Sequence, residues 1–179
     1  MRKVILSLAV SLDSLIEGPN GEYDWCFTDQ DYGLAVFMSR IDSLFIGRKS
    51  YDLMLRMAEE APDQNDYFKP FKKYIFSHTL ESVADGFELV KGDTAGRVAA
   101  IKEQPGKDIW LFGGAGLTTE FINEGWVDEI MLALHPLILG PGKPLFNDIK
   151  NRVPLKLTDA QIFDSGLVML YYDVLKKNT

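Results

Sequence analysis

Two stretches of aliphatic and β-branched residues, Lys3 to Ser11 and Ser43 to Ile46, run without the polar alternation of a half-exposed strand. Continuous apolar runs of this length suit strands buried on both faces. Between them Gly18-Pro19-Asn20-Gly21 is a turn by composition. Asp29 to Arg40 reads as a helix, with Leu34, Phe37, Met38 and the adjoining Ile41 at helical spacing. Helix-compatible sequence resumes at Lys49 to Glu60, and Ala61 to Asp66 reads as an exposed loop. Further strands are predicted at Lys73 to Phe76, Phe87 to Val90, Ile109 to Phe112 and Val127 to Leu134. Helices are predicted over Thr94 to Glu103 and from Gly113-Gly114-Ala115-Gly116 to about Asn123. His135 to Phe146 is a Gly/Pro-rich loop that either covers part of a binding site or, at His135-Pro136, simply ends a strand. Leu155 to Phe163 and Leu167 to Leu175 flank Asp164-Ser165-Gly166, a hairpin signature. Strands and helices that alternate and then close on an antiparallel hairpin predict one α/β domain over 1–179. Its central sheet is mixed and mostly parallel, with helices on both faces.

Composition narrows the function classes. The chain has 179 residues, 46% apolar and 25% charged, enough to bury a sizeable core in one unit. Its 19 Lys+Arg against 26 Asp+Glu give a net charge of -7, with no basic block. That balance argues against nucleic acid or an anionic membrane as a bulk partner, since both demand dense positive charge. Cys26 is the lone cysteine, which leaves no intramolecular disulfide framework and no multi-thiolate metal site. No metal is expected, and a reducing, cytoplasmic setting is the simplest fit. The start, Met1-Arg2-Lys3 before an apolar run, has the outline of a signal peptide, but the run is short and Asp13 and Glu17 lie just beyond it. It is expected to be a buried strand. No apolar run reaches the length of a membrane helix.

Three strand ends carry candidate chemistry. Gly113-Gly114-Ala115-Gly116 falls where a strand ends and a helix begins. Free backbone N–H groups and the helix dipole favour a phosphate there. It is not the dinucleotide fingerprint, because Thr119 holds the place of the last glycine. By itself it is either a phosphate cradle or a tight connection. Gly47-Arg48-Lys49-Ser50 repeats the topology at another strand, now with two cations and a hydroxyl. Arg presents planar donors, Lys a point charge, and Ser50 a donor at a helix start; the plainer alternative is a solvated helix terminus. Ser77-His78-Thr79 comes after a third strand and supplies further donors, although an exposed His by itself is ordinary surface.

In this order the pieces resemble the dihydrofolate reductase-like superfamily, and within it the branch of the reductase domain of bacterial riboflavin biosynthesis. The resemblance spans almost the whole chain. It begins with Ser11-Leu12-Asp13, Gly18-Pro19-Asn20-Gly21 leading to Asp24-Trp25, and Gly47-Arg48-Lys49-Ser50-Tyr51. It continues through Gly113-Gly114-Ala115-Gly116 and ends in the run from Pro136 to Phe146. A three-layer α/β/α sandwich and an NADPH-dependent reductase are what the resemblance implies. The substrate it implies is a pteridine, pyrimidine or similar small heterocycle, reduced at C=N or C=O. By the same resemblance Arg48 and Lys49 face the adenosine 2'-phosphate, with Ser77, His78 and Thr79 beside them. Gly47, Ser50, Gly113, Gly114, Ala115 and Gly116 border the pyrophosphate, and Ala9 and Ile16 flank the nicotinamide. The missing zinc deaminase module implies a stand-alone member.

Hydride transfer builds negative charge on the acceptor heteroatom, so a carboxyl or an ordered water must deliver a proton. Dihydrofolate reductases hold the pterin with an acid on the first helix. Asp29 and Asp31 both fall there, and spacing does not choose between them; capping the helix is the alternative for each. Asp13 sits in the Ser-Leu-Asp segment of the riboflavin branch, but Ser14 replaces the usual Gly, and a turn-capping role for Asp13 stands beside the catalytic one. After Trp25 the Leu-Pro-x-Asp/Glu run of true dihydrofolate reductases is missing. Trp25, Phe27, Tyr51, Phe68 and Phe71 are candidates to line a pocket or to fill the core. Two further readings remain open. One is a protein of this fold that binds the nucleotide without efficient turnover, as a sensor or interaction module. The other is a structural oligomer subunit, whose apolar terminal hairpin with Val168, Met169, Leu170, Tyr171 and Tyr172 either pairs across a homodimer or is a covered edge.

Overall fold

A computed structural model describes residues 1–60 and 68–176. The chain opens with β1 (Val4–Ser11) and the short β2 (Leu15–Glu17), then α1 (Leu34–Arg40), β3 (Ile41–Gly47) and α2 (Arg48–Glu60). Next come β4 (Lys72–Phe76), β5 (Phe87–Val90), α3 (Thr94–Glu103), β6 (Asp108–Gly113) and α4 (Ala115–Asn123). It closes with β7 (Glu129–His135), β8 (Lys143–Pro144), β9 (Leu155–Ile162) and β10 (Val168–Val174). Eight strands form one sheet in the order β5-β4-β3-β6-β1-β7-β10-β9, parallel from β5 to β7; β10 then pairs antiparallel with both β7 and β9. A second, two-stranded sheet joins β2 to β8. The expected loop from Ala61 to Asp66 lies outside the described residues.

Apolar runs without alternation become strands buried on both sides. In β1, Val4, Leu6 and Val10 join the core cluster under α3 and α4, with Val98, Ile101, Leu117 and Phe121. Ile5 points the other way, into the cluster under α1 and α2 with Phe37, Tyr51 and Met54. The result is the expected three-layer sandwich. The amino ends of the strands are tied by ion pairs: Arg2 to Asp42, Lys3 and Arg40 to Glu129, Arg40 to Asp108, and Lys102 and Lys176 to Asp128.

Three expectations need correction. The first helix begins at Leu34, not Asp29, because Tyr32 and Gly33 have φ of 51° and 81°, which no right-handed helix passes through. Asp31 instead receives the incoming turn: its carbonyl accepts from Leu34 N–H and its carboxylate from Ala35 N–H at 3.0 Å. Ile41, read as part of the helical stripe, is the first residue of β3, since the chain passes from helix to strand without a loop. Finally, β2 and β8 were not expected; at three and two residues neither has a readable period. The hairpin turn forms as expected, with Gly166 at φ 84° and Phe163 N–H donating to Leu167 C=O.

Candidate functional site

Parallel strands deliver all their outgoing loops to one edge of the sheet, and two recesses lie there. The first is a groove of about 560 Å³ where β3 and β6 hand over to α2 and α4. Gly47 makes the junction close: a Cβ there would stand 3.3 Å from Leu117 Cβ and 3.4 Å from Gly113 O. A Cβ on Gly114 would stand 3.3 Å from Ser50 Oγ, so the starts of α2 and α4 lie against each other. The Gly113–Gly114 peptide is cis. The groove is walled by Gly47 to Ser50, Gly114 to Leu117, Ile16 and Glu17, and by Arg56 and Lys143.

Its charges are unevenly committed. Arg48 Nε lies 2.8 Å from both oxygens of Asp52, one turn along α2, and Lys143 reaches Glu17 at 2.7 Å. Lys49 and Arg56 have no hydrogen-bonding or ion-pair partner among the described residues. Seven residues apart on one helix, they share a face about 10 Å from each other along the axis. The groove therefore offers two abutting helix N-termini and two uncompensated cations. Sequence reasoning missed Arg56 and Lys143. Arg56 had a signal in its i, i+7 spacing from Lys49, whereas Lys143 reaches the groove only through the unforeseen pairing of β2 with β8.

The second recess is a cavity of about 400 Å³ over β6, β1, β7 and β10, lined by Ala9, Phe37, Trp110, Met131, Ala133 and Met169 on the sheet side. The segment after Tyr23 covers it. Tyr23 still borders the groove, and Cys26, three residues on, already borders the cavity, with Cys26 N–H donating to Tyr23 C=O. The two recesses thus adjoin along this strap. It is fastened at two points. His135, 2% exposed at the end of β7, accepts Phe27 N–H at Nε2 (3.1 Å), while Nδ1 lies 2.9 Å from Ala133 C=O. A carbonyl can only accept, so Nδ1 carries the proton and the imidazole is neutral. Trp25 and Phe27 pack edge-on against the ring. At the second point Tyr32 OH bridges Asp29 (2.7 Å) and Ser165 (2.9 Å) of the terminal hairpin. His135 does more than end a strand.

The three candidate acids separate. Asp31 borders the cavity; Asp29 does not, and its contact is to Tyr32. Asp13 accepts from Ser11 Oγ (2.6 Å), Leu139 N–H (3.1 Å) and Gly140 N–H (2.8 Å), which staples the loop after β7 to the end of β1. The Ser11 hydroxyl foremost, then the two amides, hold its carboxyl down at about 2. A group so acidic and so engaged is a turn staple and a poor proton donor at neutral pH. Burial, then the Asp24 charge, pushes the Cys26 thiol up to about 11, so the cysteine that borders the cavity is no thiolate. Of the cofactor candidates, Gly47, Arg48, Lys49, Ser50, Gly114, Ala115, Gly116 and Ile16 meet in the groove, and Ala9 lies in the cavity. Ser77 begins one residue beyond Phe76, the partner of Gly47; its hydroxyl accepts from Thr79 and Leu80 N–H, and 77–79 lie outside the groove wall, as does Gly113. Among the aromatic candidates Phe27 borders the cavity, Trp25 backs His135, and Tyr51 is core. Phe68 and Phe71 pack against the core cluster under α1 and α2.

A parallel sheet covered on both faces, an antiparallel terminal hairpin and a carboxyl-edge groove beside a cavity define a dihydrofolate reductase-like α/β protein. Residues 2–169 match the RibD C-terminal domain, and the chain belongs to that family. It is 44% identical over 177 residues to the uncharacterized protein YyaP of Bacillus subtilis, covering 96% of this chain and 94% of that one. With YwjB of the same organism, also uncharacterized, identity is 30% over 175 residues, covering 96% and 97%. Among solved structures, a Shewanella protein provisionally assigned to riboflavin biosynthesis superposes with a TM-score of 0.82 at 24% identity, over 97% of this chain and 99% of that one. The deaminase/5-amino-6-(5-phosphoribosylamino)uracil reductase of Thermotoga maritima gives 0.68 at 14%, with 97% of this chain spanning 57% of that protein. Dihydrofolate reductase of Enterococcus faecalis, complexed with NADP(H), gives 0.67 at 13% over 97% of both chains. These likenesses establish the reductase-type fold. Among the described residues no helix is long and apolar enough to cross a membrane, and no group of His, Cys, Asp and Glu is placed to hold a metal ion.

Proposed function

We propose that this chain is an NADPH-dependent oxidoreductase that reduces a C=N or C=O bond of a small heterocycle held in the aromatic cavity. One observation carries the reading: two abutting helix N-termini and the uncompensated Lys49 and Arg56 share a groove that adjoins the cavity. The donor set fits a dinucleotide. The first N–H groups of α2 and α4 have no acceptor within their helices and suit a pyrophosphate, while Arg48, Lys49 and Arg56 suit a further phosphate. Gly116 faces open space, where nothing lies within 4 Å of a would-be Cβ, so backbone meets the anion without a side chain between them. Ser77, His78 and Thr79, one strand outward, flank the same edge. The Enterococcus neighbour, whose structure holds NADP(H), supports the choice of cofactor.

NADPH supplies a hydride, and the chain supplies the geometry around it. Ala9 in the cavity and Ile16 in the groove mark the passage between the recesses where the reduced ring would lie. The carbon of the polarised bond would accept hydride from a bound cofactor, and the heteroatom would take its proton from a water held by the Asp31 carboxylate. His135 and Tyr32 fasten the strap along the cavity, through Phe27 N–H and Ser165. Soluble, cytoplasmic work is consistent with the single thiol. Leu157 and Ile162, 52% and 82% exposed on the edge strand β9, support a homodimer. The test is loss of NADPH absorbance with a panel of pterins, folates and aminopyrimidines. Turnover with any of them supports the reading; tight NADPH binding with no oxidation by the whole panel favours the sensor alternative, and failure to bind NADPH sinks both.

A further inference from the structure

Among the described residues that line it, the cavity has no Lys or Arg. Apart from the neutral His135, the wall is built of Ser7, Leu8, Ala9, the strap residues Cys26 to Thr28 and Gln30 to Leu34, Phe37, Trp110, Met131, Ala133, Leu167 and Met169. These come from three stretches of chain, 4–39, 108–142 and 157–175, and none of the three holds a Lys or Arg. Residues 61–67, outside the described set, hold none either. Asp31 is the one carboxylate on that wall; Asp24 and Asp29 lie on the strap near it in sequence, and Asp164 precedes Ser165, to which Tyr32 is bonded. The adjoining groove has the opposite character, with Arg48, Lys49, Arg56 and Lys143. Charge is segregated between the two recesses.

We infer that the cavity selects a planar heterocycle without a phosphate group, neutral or cationic, and turns away its phosphorylated counterpart. This rests on the proposed function for its reaction but not for its binding argument. A phosphate needs at least one cation or a bundle of free N–H groups to replace its water, and a dianion beside Asp31 meets repulsion with nothing to offset it. The aromatic wall of Phe27, Phe37 and Trp110 gives stacking and edge contacts to a flat ring, which require no charge. The same segregation orients the cofactor, because its phosphates find donors only on the groove side.

The test uses two matched pairs that differ only in phosphate: riboflavin against riboflavin 5'-phosphate, and guanosine against guanosine 5'-monophosphate. Equilibrium binding is measured by calorimetry and tryptophan quenching on NADPH-saturated protein. It is repeated on the cofactor-free double variant Lys49→Ala with Arg56→Ala, in which the groove attracts anions less and gains no negative charge, so the cavity is read whether or not NADPH is the cofactor. The unphosphorylated member is expected to bind at least tenfold tighter in at least one pair. Gln30→Arg, which adds a cation to the cavity wall, is expected to shift the preference at least tenfold toward the phosphorylated member of each pair that binds. Equal or tighter binding of the phosphorylated members by the unaltered cavity, or no binding of any member below 1 mM, overturns the inference. Riboflavin or guanosine binding with no NADPH binding would overturn the proposed function and leave the inference standing.

Discussion

Removing the uncompensated cations of α2 is the most direct probe of the groove. Lys49→Ala and Arg56→Ala each delete an exposed charge with no partner among the described residues, so neither leaves an orphaned carboxylate and neither should affect folding. A cation and a phosphate about 4 Å apart at a protein surface interact by about 1 to 4 kcal/mol, and charge-assisted hydrogen bonds contribute about 1.5 to 3. Taking about 1.5 kcal/mol for each after solvent screening, either variant weakens NADPH roughly tenfold. Because the two positions are about 10 Å apart, their effects should nearly add, to roughly a hundredfold in the double variant. Arg48→Ala provides the contrast. Its Nε already spends its charge on both oxygens of Asp52, so its loss should cost about threefold or less. Calorimetric titration of NADPH at about 0.1 M and about 1 M salt measures all of this, since the screening length falls from about 10 to about 3 Å between them. The differences should shrink at high salt. A double variant that binds NADPH within threefold of the parent, or an Arg48→Ala variant weaker than Arg56→Ala, refutes the assignment of the groove.

The same contacts set other expectations. Asp128→Ala should destabilise by about 3 to 5 kcal/mol in urea titration, because it strands Lys102, which is 8% exposed at 2.6 Å, and also the Val4 amide. Gly47→Ala should cost about 1 to 3 kcal/mol by overpacking against Leu117 and the Gly113 carbonyl, and should weaken NADPH as it pries the two helix starts apart. Asp13 has a folded carboxyl at about 2, below the ordinary 3.8, so its contribution is full above about pH 4 and fades as pH falls toward 2. The stability gap between the parent and Asp13→Asn should therefore be flat from pH 5 to 8 and close below pH 3, as read by thermal melts; a gap that closes near pH 6 would contradict the staple. His135→Phe keeps the ring but not the acceptor for Phe27 N–H. It should lower kcat/KM at least tenfold and leave the NADPH Kd within twofold, and an equal loss in both would show that the strap serves the groove.

The sheet was legible because its signal is local. Runs such as Val4 to Val10 have a single polar position, Ser7, and the glycines at Gly47 and Gly113-Gly114 sit where a strand hands over to a helix. The start of α1 was not legible, since a period of apolar residues continues through Tyr32 and Gly33 while their left-handed backbone stops the helix. The groove was half legible. Glycines and cations at the ends of β3 and β6 pointed to anion chemistry, but only the close approach of Gly47 to Gly114 shows that they form one site. Lys143 and His135 were hidden for a different reason: each acts across more than 100 residues of chain, on Glu17 and on Phe27, through pairings with no sequence period. The roles of the acids turned on contacts of that kind too. Asp13 and Asp31 look alike in a sequence, and only the amides of Leu139 and Gly140 mark one of them as a staple.

The ion pairs at the amino ends of the strands have a bearing on how such a protein can change. Arg2 with Asp42, Arg40 with Asp108 and Glu129, Lys3 with Glu129, and Lys102 with Asp128 clamp the amino ends of β1, β3, β6 and β7, at the opposite end of the strands from the groove. Loops at the carboxyl edge, the strap above all, can then drift in sequence without loosening the frame that holds them. A lineage built this way can trade one substrate for another by altering the strap while keeping its groove. It also gives an engineer a clear partition, with diversity introduced between residues 22 and 33 and the clamped edge left untouched.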